Sequence, residues 1–180
     1  MFKQLFKLFI ESSEEFLRSE VDLILSDVSE RCLCGSLMTK MRYNLDNSIF
    51  NEYHADIEYN RNFDGRIKTI INNEMKTIPV TCDIIIHSRG EIQKQDNLLA
   101  VEMKKANGKE EDKQKDKERL MALTKSGNDS NTYSMDGRTF PENVCGYLLG
   151  VFYEVDIENR IVFFEYYKGG ELFSKYRKKF

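Results

Sequence analysis

Residues 98–107, "LLAVEMKKAN", decide how the rest of the chain is read. The stretch has the apolar density of a strand bound for a core, yet Glu102 and Lys104 stand in its middle. Successive side chains of a strand alternate faces, so Glu102 and Lys104 share one face while Leu99, Val101 and Met103 take the other. Charges this close to an apolar run need partners, because desolvating an unpaired charge is costly. Whether those partners are structural or chemical depends on the sequence around them.

Just upstream, "PVTCDIIIH" is a β-branched run ending at His87, and "SRGEIQKQDN" is a polar loop. Two strands joined by such a loop predict an antiparallel hairpin, with Asp83 inside the first strand and beside Glu102 at one edge. Two nearby carboxylates repel each other, and a divalent cation relieves that penalty. Oxygen ligands select Mg²⁺ or Mn²⁺ over a soft metal. A lysine two residues past the Glu can orient water or stabilise charge developing on a phosphate. That division of labour suits phosphodiester hydrolysis.

The flanking elements follow from periodicity. Phe2, Leu5, Phe6, Phe9 and Ile10 recur at helical spacing, and Phe16, Val21, Ile24 and Leu25 continue after "ESSEE", where Ser12 or Ser13 offers an N-cap. This amino-terminal arm packs on the domain or on a second copy, which makes a homodimer through these helices one expectation. Its polar side is as acidic as it is basic, which argues against a membrane surface. In "SDVSERCLCGSLMTKMRYNLDN", Ser26 or Asp27 serves as cap and Leu33, Leu37, Met41 and Leu45 mark the buried face, with Glu30 on or beside it. From Tyr53 the period becomes two, so "YHADIEYN" is a strand, and Arg66 to Ile71 form a short partner after the Asp64-Gly65 turn. "NGKEEDKQKDKERLMALTKSGND" is a helix, residues 126–143 are a polar loop, and "CGYLLGVFYEV" and "RIVFFEYYK" are strands ahead of a basic tail, "KYRKKF". The order predicts an α/β sandwich with a mixed central sheet flanked by helices.

Composition sets outer bounds. The chain has 180 residues, 41% hydrophobic and 32% charged, with two prolines, as expected of one folded domain. Its net charge of −3 gives no global basic signature, so any nucleic-acid contact must be local. Cys32, Cys34, Cys82 and Cys145 lack the paired spacing of a zinc site and read as reduced cysteines. No apolar run reaches membrane-spanning length and no signal peptide is recognisable, so the cytoplasm is the expected compartment.

The pattern of Asp83, eighteen residues, then Glu102-Met-Lys104, after a helix bearing Glu30, resembles the PD-(D/E)XK nuclease superfamily with its restriction-endonuclease-like fold. "SERCLCGSLMTKM", "ADIEYNR", "CDIIIHSRG", "NLLAVEMKK" and "DKERLMAL" fall in the order, and on the elements, of a group of small bacterial members. One departure is Cys82, which stands where the pattern places proline, with Pro79 nearby. The resemblance implies Asp83, Glu102 and Lys104 as catalytic residues, and Asp83, Glu102 and Glu30 as ligands of Mg²⁺ or Mn²⁺, with the Met103 carbonyl as a further ligand. It implies a nuclease whose partner is nucleic acid, with DNA the expected substrate, and a single domain of arm (1–26), core (27–168) and basic tail (169–180). A catalytically inactive binding or assembly module on the same fold is the alternative. Several plainer interpretations compete: a solvated ladder for Glu102 and Lys104, a rim charge for Glu30, and a solvated strand face for Asp56 and Glu58. Lys109, Lys113 and Lys117, at i, i+4 and i+8, form either a solvated helix face or a stripe that tracks phosphates.

Overall fold

The computed structural model describes residues 1–60, 69–71, 77–79, 81–125 and 145–180. Three helices come first: α1 (Phe2–Ser19), α2 (Val21–Leu25) and α3 (Glu30–Asp46). Strands β1 (His54–Ile57), β2 (Thr69–Ile71), β3 (Thr77–Pro79), β4 (Ile84–His87) and β5 (Asn97–Lys105) follow. Helix α4 (Glu110–Thr124) then leads to β6 (Leu149–Asp156), β7 (Ile161–Lys168) and β8 (Glu171–Lys179). The main sheet has six strands in the order β1-β4-β5-β6-β7-β8, while β2 and β3 pair separately. Only the β5–β6 contact within it is parallel. That pair needs a long crossover, and α4 lies within it.

Helices cover both faces, giving the expected α/β sandwich. On one face, Leu5, Phe9 and Phe16 of α1 and Leu33, Leu37 and Met41 of α3 pack with Leu99, Val101 and Met103 of β5 and Val151 and Tyr153 of β6. On the other, Leu120 and Leu123 of α4 pack with Ile85, Ala100, Phe152 and Tyr167. The strand alternation read from "LLAVEMKKAN" therefore holds, and Glu102 and Lys104 fall on the α4 side.

Several local expectations change. Helix α1 runs without a break through "ESSEE", because neither serine caps a new helix. Ser12 donates back to the Leu8 carbonyl at 2.8 Å, and Ser13 meets the Tyr153 hydroxyl at 3.2 Å. The apolar face of α1 is thus taken up within the chain. Ser29, not Ser26 or Asp27, caps α3 by accepting from the Cys32 N–H at 3.3 Å. Asp27 instead pairs with Lys105 at 2.6 Å. Asp83 sits one residue ahead of β4 and not inside it. "KYRKKF" is not a tail: most of it belongs to β8, which closes the sheet against β7. The Asp64-Gly65 turn and the loop at 126–143 lie outside the described residues.

Helix α4 approaches β6 closely at Gly150. A Cβ there would stand 3.0 Å from Thr124 Cγ2, 3.3 Å from Tyr167 Cβ and 3.4 Å from Leu120 Cβ. Gly150→Val should therefore destabilise by roughly 1–3 kcal/mol through overpacking. A lowered urea midpoint at unchanged m-value checks this.

Candidate functional site

The site begins where β4 parts from β5. Their pairing ends at Ile84 opposite Val101. Beyond that point no strand among the described residues meets this edge of β5. Side-chain carboxylates take that place. Asp83 Oδ2 accepts from the Met103 N–H at 2.7 Å, and Glu30 Oε1 accepts from the Lys105 N–H at 2.9 Å. Glu30 can reach because it is the first residue of α3, where an acid also suits the helix dipole. The Met103 carbonyl accepts from Lys104 Nζ at 3.2 Å.

Helix α4 supplies the other half. Lys104 Nζ stands 3.1 Å from Asp116 Oδ2 and 3.5 Å from Glu30 Oε2. Glu102 is 1% exposed, and its Oε1 accepts from Arg119 Nη1 at 2.6 Å. The same nitrogen donates to Asp116 Oδ1 at 3.0 Å. Glu102, Arg119, Asp116 and Lys104 therefore form one connected chain of alternating acidic and basic side chains.

Burial and like charge strain the acids. Burial pushes Glu102 from 4.5 up to about 8, Arg119 offsets part of this, and Asp83 and Asp116 add to it. Asp83 is also raised, first by burial and then by Asp116 and Glu30, against the Met103 N–H and Lys104. Burial alone would lower Lys104, but Asp83, Asp116 and Glu30 hold it above its ordinary value. The same negative field reaches Cys34 on α3, whose thiol is driven up by burial and then by Asp83, Glu102 and Glu30. This cysteine, with its sulfur 3.8 Å from that of Met103, is held as a thiol and not as a reactive thiolate.

Within this group, four carboxylates (Glu30, Asp83, Glu102 and Asp116) face two cations (Lys104 and Arg119). The surplus acids and the Met103 carbonyl make an all-oxygen donor set, which suits a hard divalent cation in kind and in charge. The set is not a ready cage. Among the described residues no three His, Cys, Asp or Glu side chains are grouped to hold a metal. One oxygen each of Asp83, Glu30 and Glu102 is engaged by Met103 N–H, Lys105 N–H and Arg119.

Asp83, Glu102, Lys104 and Glu30 are thus brought to one place from a loop, a strand and a helix start. Glu102 and Lys104 are no solvated ladder, since both turn under α4. The lysine stripe is corrected. Lys113 is buried, donating to the Ala106 carbonyl at 2.8 Å and pairing with Glu154 at 2.8 Å, while Lys117 pairs with Glu165 at 3.3 Å and lies 4.7 Å over the Phe152 ring. Asp56 is not a solvated strand charge either. It binds Arg89 through both oxygens, at 2.8 and 2.5 Å, and His87 Nε2 at 2.9 Å. Glu58 pairs with Arg31 at 2.9 Å. Asp116 and Arg119 were not singled out from sequence. Their signal is an acid and a base at i, i+3, matched to the acid and base at i, i+2 of the preceding strand so that each can meet the opposite sign.

The shift of Glu102 has a sign that stability can read. Its folded pKa is raised, so between about 4.5 and 8 the folded chain keeps a proton the unfolded chain has released. Stability of the metal-free protein should therefore fall as pH rises through that window. Glu102→Gln should flatten the slope. Melting temperatures of both proteins from pH 5 to 8 give the comparison.

Comparison with protein-family models, curated proteins and solved structures found no match for this chain.

Proposed function

We propose that this protein is a metal-dependent phosphodiester hydrolase of the PD-(D/E)XK type, acting on DNA, and that its α/β sandwich is of the restriction-endonuclease-like variety. One observation carries the proposal. The edge of β5 past Val101 gathers Asp83, Glu30, the Met103 carbonyl and the Lys104 ammonium, with Glu102 one residue before. The element order α3-β1-β2-β3-β4-β5-α4-β6, with β2 and β3 outside the main sheet, and the parallel β5–β6 step support the same reading.

In this role Asp83, Glu102, the Met103 carbonyl and Glu30 would hold Mg²⁺ or Mn²⁺. Such an ion supplies positive charge against the phosphate oxygens and activation of water. The chain's own contribution is electrostatic. Lys104 carries a permanent charge at the β5 edge, since the surrounding acids hold it protonated. Its longest contact, 3.5 Å to Glu30, is the one a phosphate oxygen would replace most easily. A charge fixed in advance costs no reorganisation as the transition state forms.

A second reading, an inactive binding or assembly module, has its own observation. Glu102 is 1% exposed and engaged by Arg119, so a cation must reorganise this pair to use it. Cleavage of single- and double-stranded DNA under Mg²⁺ and Mn²⁺, with Mn²⁺ binding measured in parallel, separates the two. Lys104→Ala should retain Mn²⁺ binding and lose cleavage by roughly a hundredfold. Asp83→Asn should lose both. A parent protein that neither binds Mn²⁺ saturably nor cleaves leaves the module reading standing.

A further inference from the structure

We infer that Asp116 is a positioning residue for Lys104, and that the Asp116–Arg119 pair of α4 holds Glu102 and Lys104 as one unit. What Lys104 then does rests on the nuclease reading; how it is held does not. A lysine side chain is a mobile four-carbon stem ending in three donors, and aiming it requires acceptors that do not themselves move. Three lie in range. The Met103 carbonyl follows the strand, and Glu30 is distant, on a side chain 34% exposed. Asp116 is different: its side chain is 7% exposed and 3.1 Å from the ammonium. It sits on a helix that packs through Leu120 and Leu123 against the sheet. Arg119 holds its other oxygen at 3.0 Å.

A further observation concerns Asp116 Oδ2. It is buried and has no hydrogen bond in good geometry. The Lys104 ammonium is the charge it faces, at ion-pair distance. A buried carboxylate oxygen whose partner is an ammonium on the facing strand calls for an explanation. Packing does not supply one, because an apolar side chain would fill the place without the desolvation cost. Aiming an ammonium does. The spacings also match: alternate residues on a strand lie ~6.5 Å apart, and helix residues at i, i+3 lie ~5–6 Å apart. One helical turn can therefore meet both charged residues of Glu102-Met103-Lys104, each with the opposite sign.

The test follows the ammonium directly. In ¹⁵N-labelled full-length protein, the Lys104 ammonium should give a slowly exchanging N–H signal, assigned by its loss in Lys104→Arg. Asp116→Ala should abolish that signal. Asp116→Asn, which keeps the shape and one acceptor oxygen, should shift it while preserving the fold. An unchanged Lys104 signal in both variants overturns the inference, whether or not the protein cleaves DNA. Where the parent protein cleaves, Asp116→Asn should lower kcat by on the order of a hundredfold with KM unchanged, as for a misplaced catalytic group. Asp116→Ala combined with Lys104→Ala should be no slower than Lys104→Ala alone. Losses that multiply would mean that Asp116 acts independently of Lys104, and would also overturn the inference. A parent with no cleavage under any divalent ion removes the nuclease reading and leaves the ammonium signal to decide this one.

Discussion

The backbone of β5 beyond Val101 is the constraint on which the site depends. Buried N–H groups must be paired, and at this edge the neighbouring strand has turned away. Asp83 and Glu30 make up the difference, each accepting one main-chain N–H of β5. A water molecule or a hydroxyl would satisfy an N–H equally well. A carboxylate does so while importing a negative charge into a half-dry place. Asp116 stands close by, and Glu102, pushed up to about 8 by burial, adds its charge only above that pH.

The arrangement is hard to explain as a device for stability. Buried ion pairs recover little beyond their desolvation cost, and well-packed apolar residues of the same volume often serve as well or better. Here the raised Glu102 and Asp83 show that the folded chain bears a net electrostatic burden at neutral pH. By contrast, Asp56 shows what a structural carboxylate looks like in this protein. Burial would raise it, but hydrogen bonds from Arg89 and His87 outweigh burial and hold it below its ordinary value. Glu165 behaves the same way, held down against burial by Lys175, Tyr167 and Lys117. Asp56 and Glu165 are held low by their partners, whereas Asp83 and Glu102 are pushed high by burial. That contrast within one molecule separates the site from its scaffold.

The scaffold explains how the charges are held. Phe9, Tyr153, Phe164 and Tyr166 pack ring against ring behind β6 and β7, and α1 and α3 close that face. On the other face, α4 lies close enough for Asp116 and Arg119 to reach β5 because Gly150 offers no side chain beneath it. The β6–β8 meander contributes no residue to the site among the described contacts, but it fixes the surface on which α4 rests.

The sequence by itself determined the central hairpin and the face each of its side chains takes. Period-two alternation in β5 put Glu102 and Lys104 opposite Leu99, Val101 and Met103, and the loop at 88–96 required an antiparallel hairpin, both of which are present. Those features depend on chain geometry within a few residues. Glu30 and Asp83 were legible as candidates because their types and order carried the signal. That one would satisfy the Lys105 N–H and the other the Met103 N–H was not. Asp116 and Arg119 read as part of a solvated helix, and Lys113 and Lys117 as an exposed stripe, because "EEDKQKDKERL" has almost no apolar period to orient it. Its rotation about its own axis is set by Leu120 and Leu123 docking on Ile85, Ala100 and Phe152, residues far away in sequence. A helix so rich in charge has many solvated orientations open to it, and only packing against the sheet selects the one that turns Asp116 and Arg119 toward Lys104 and Glu102.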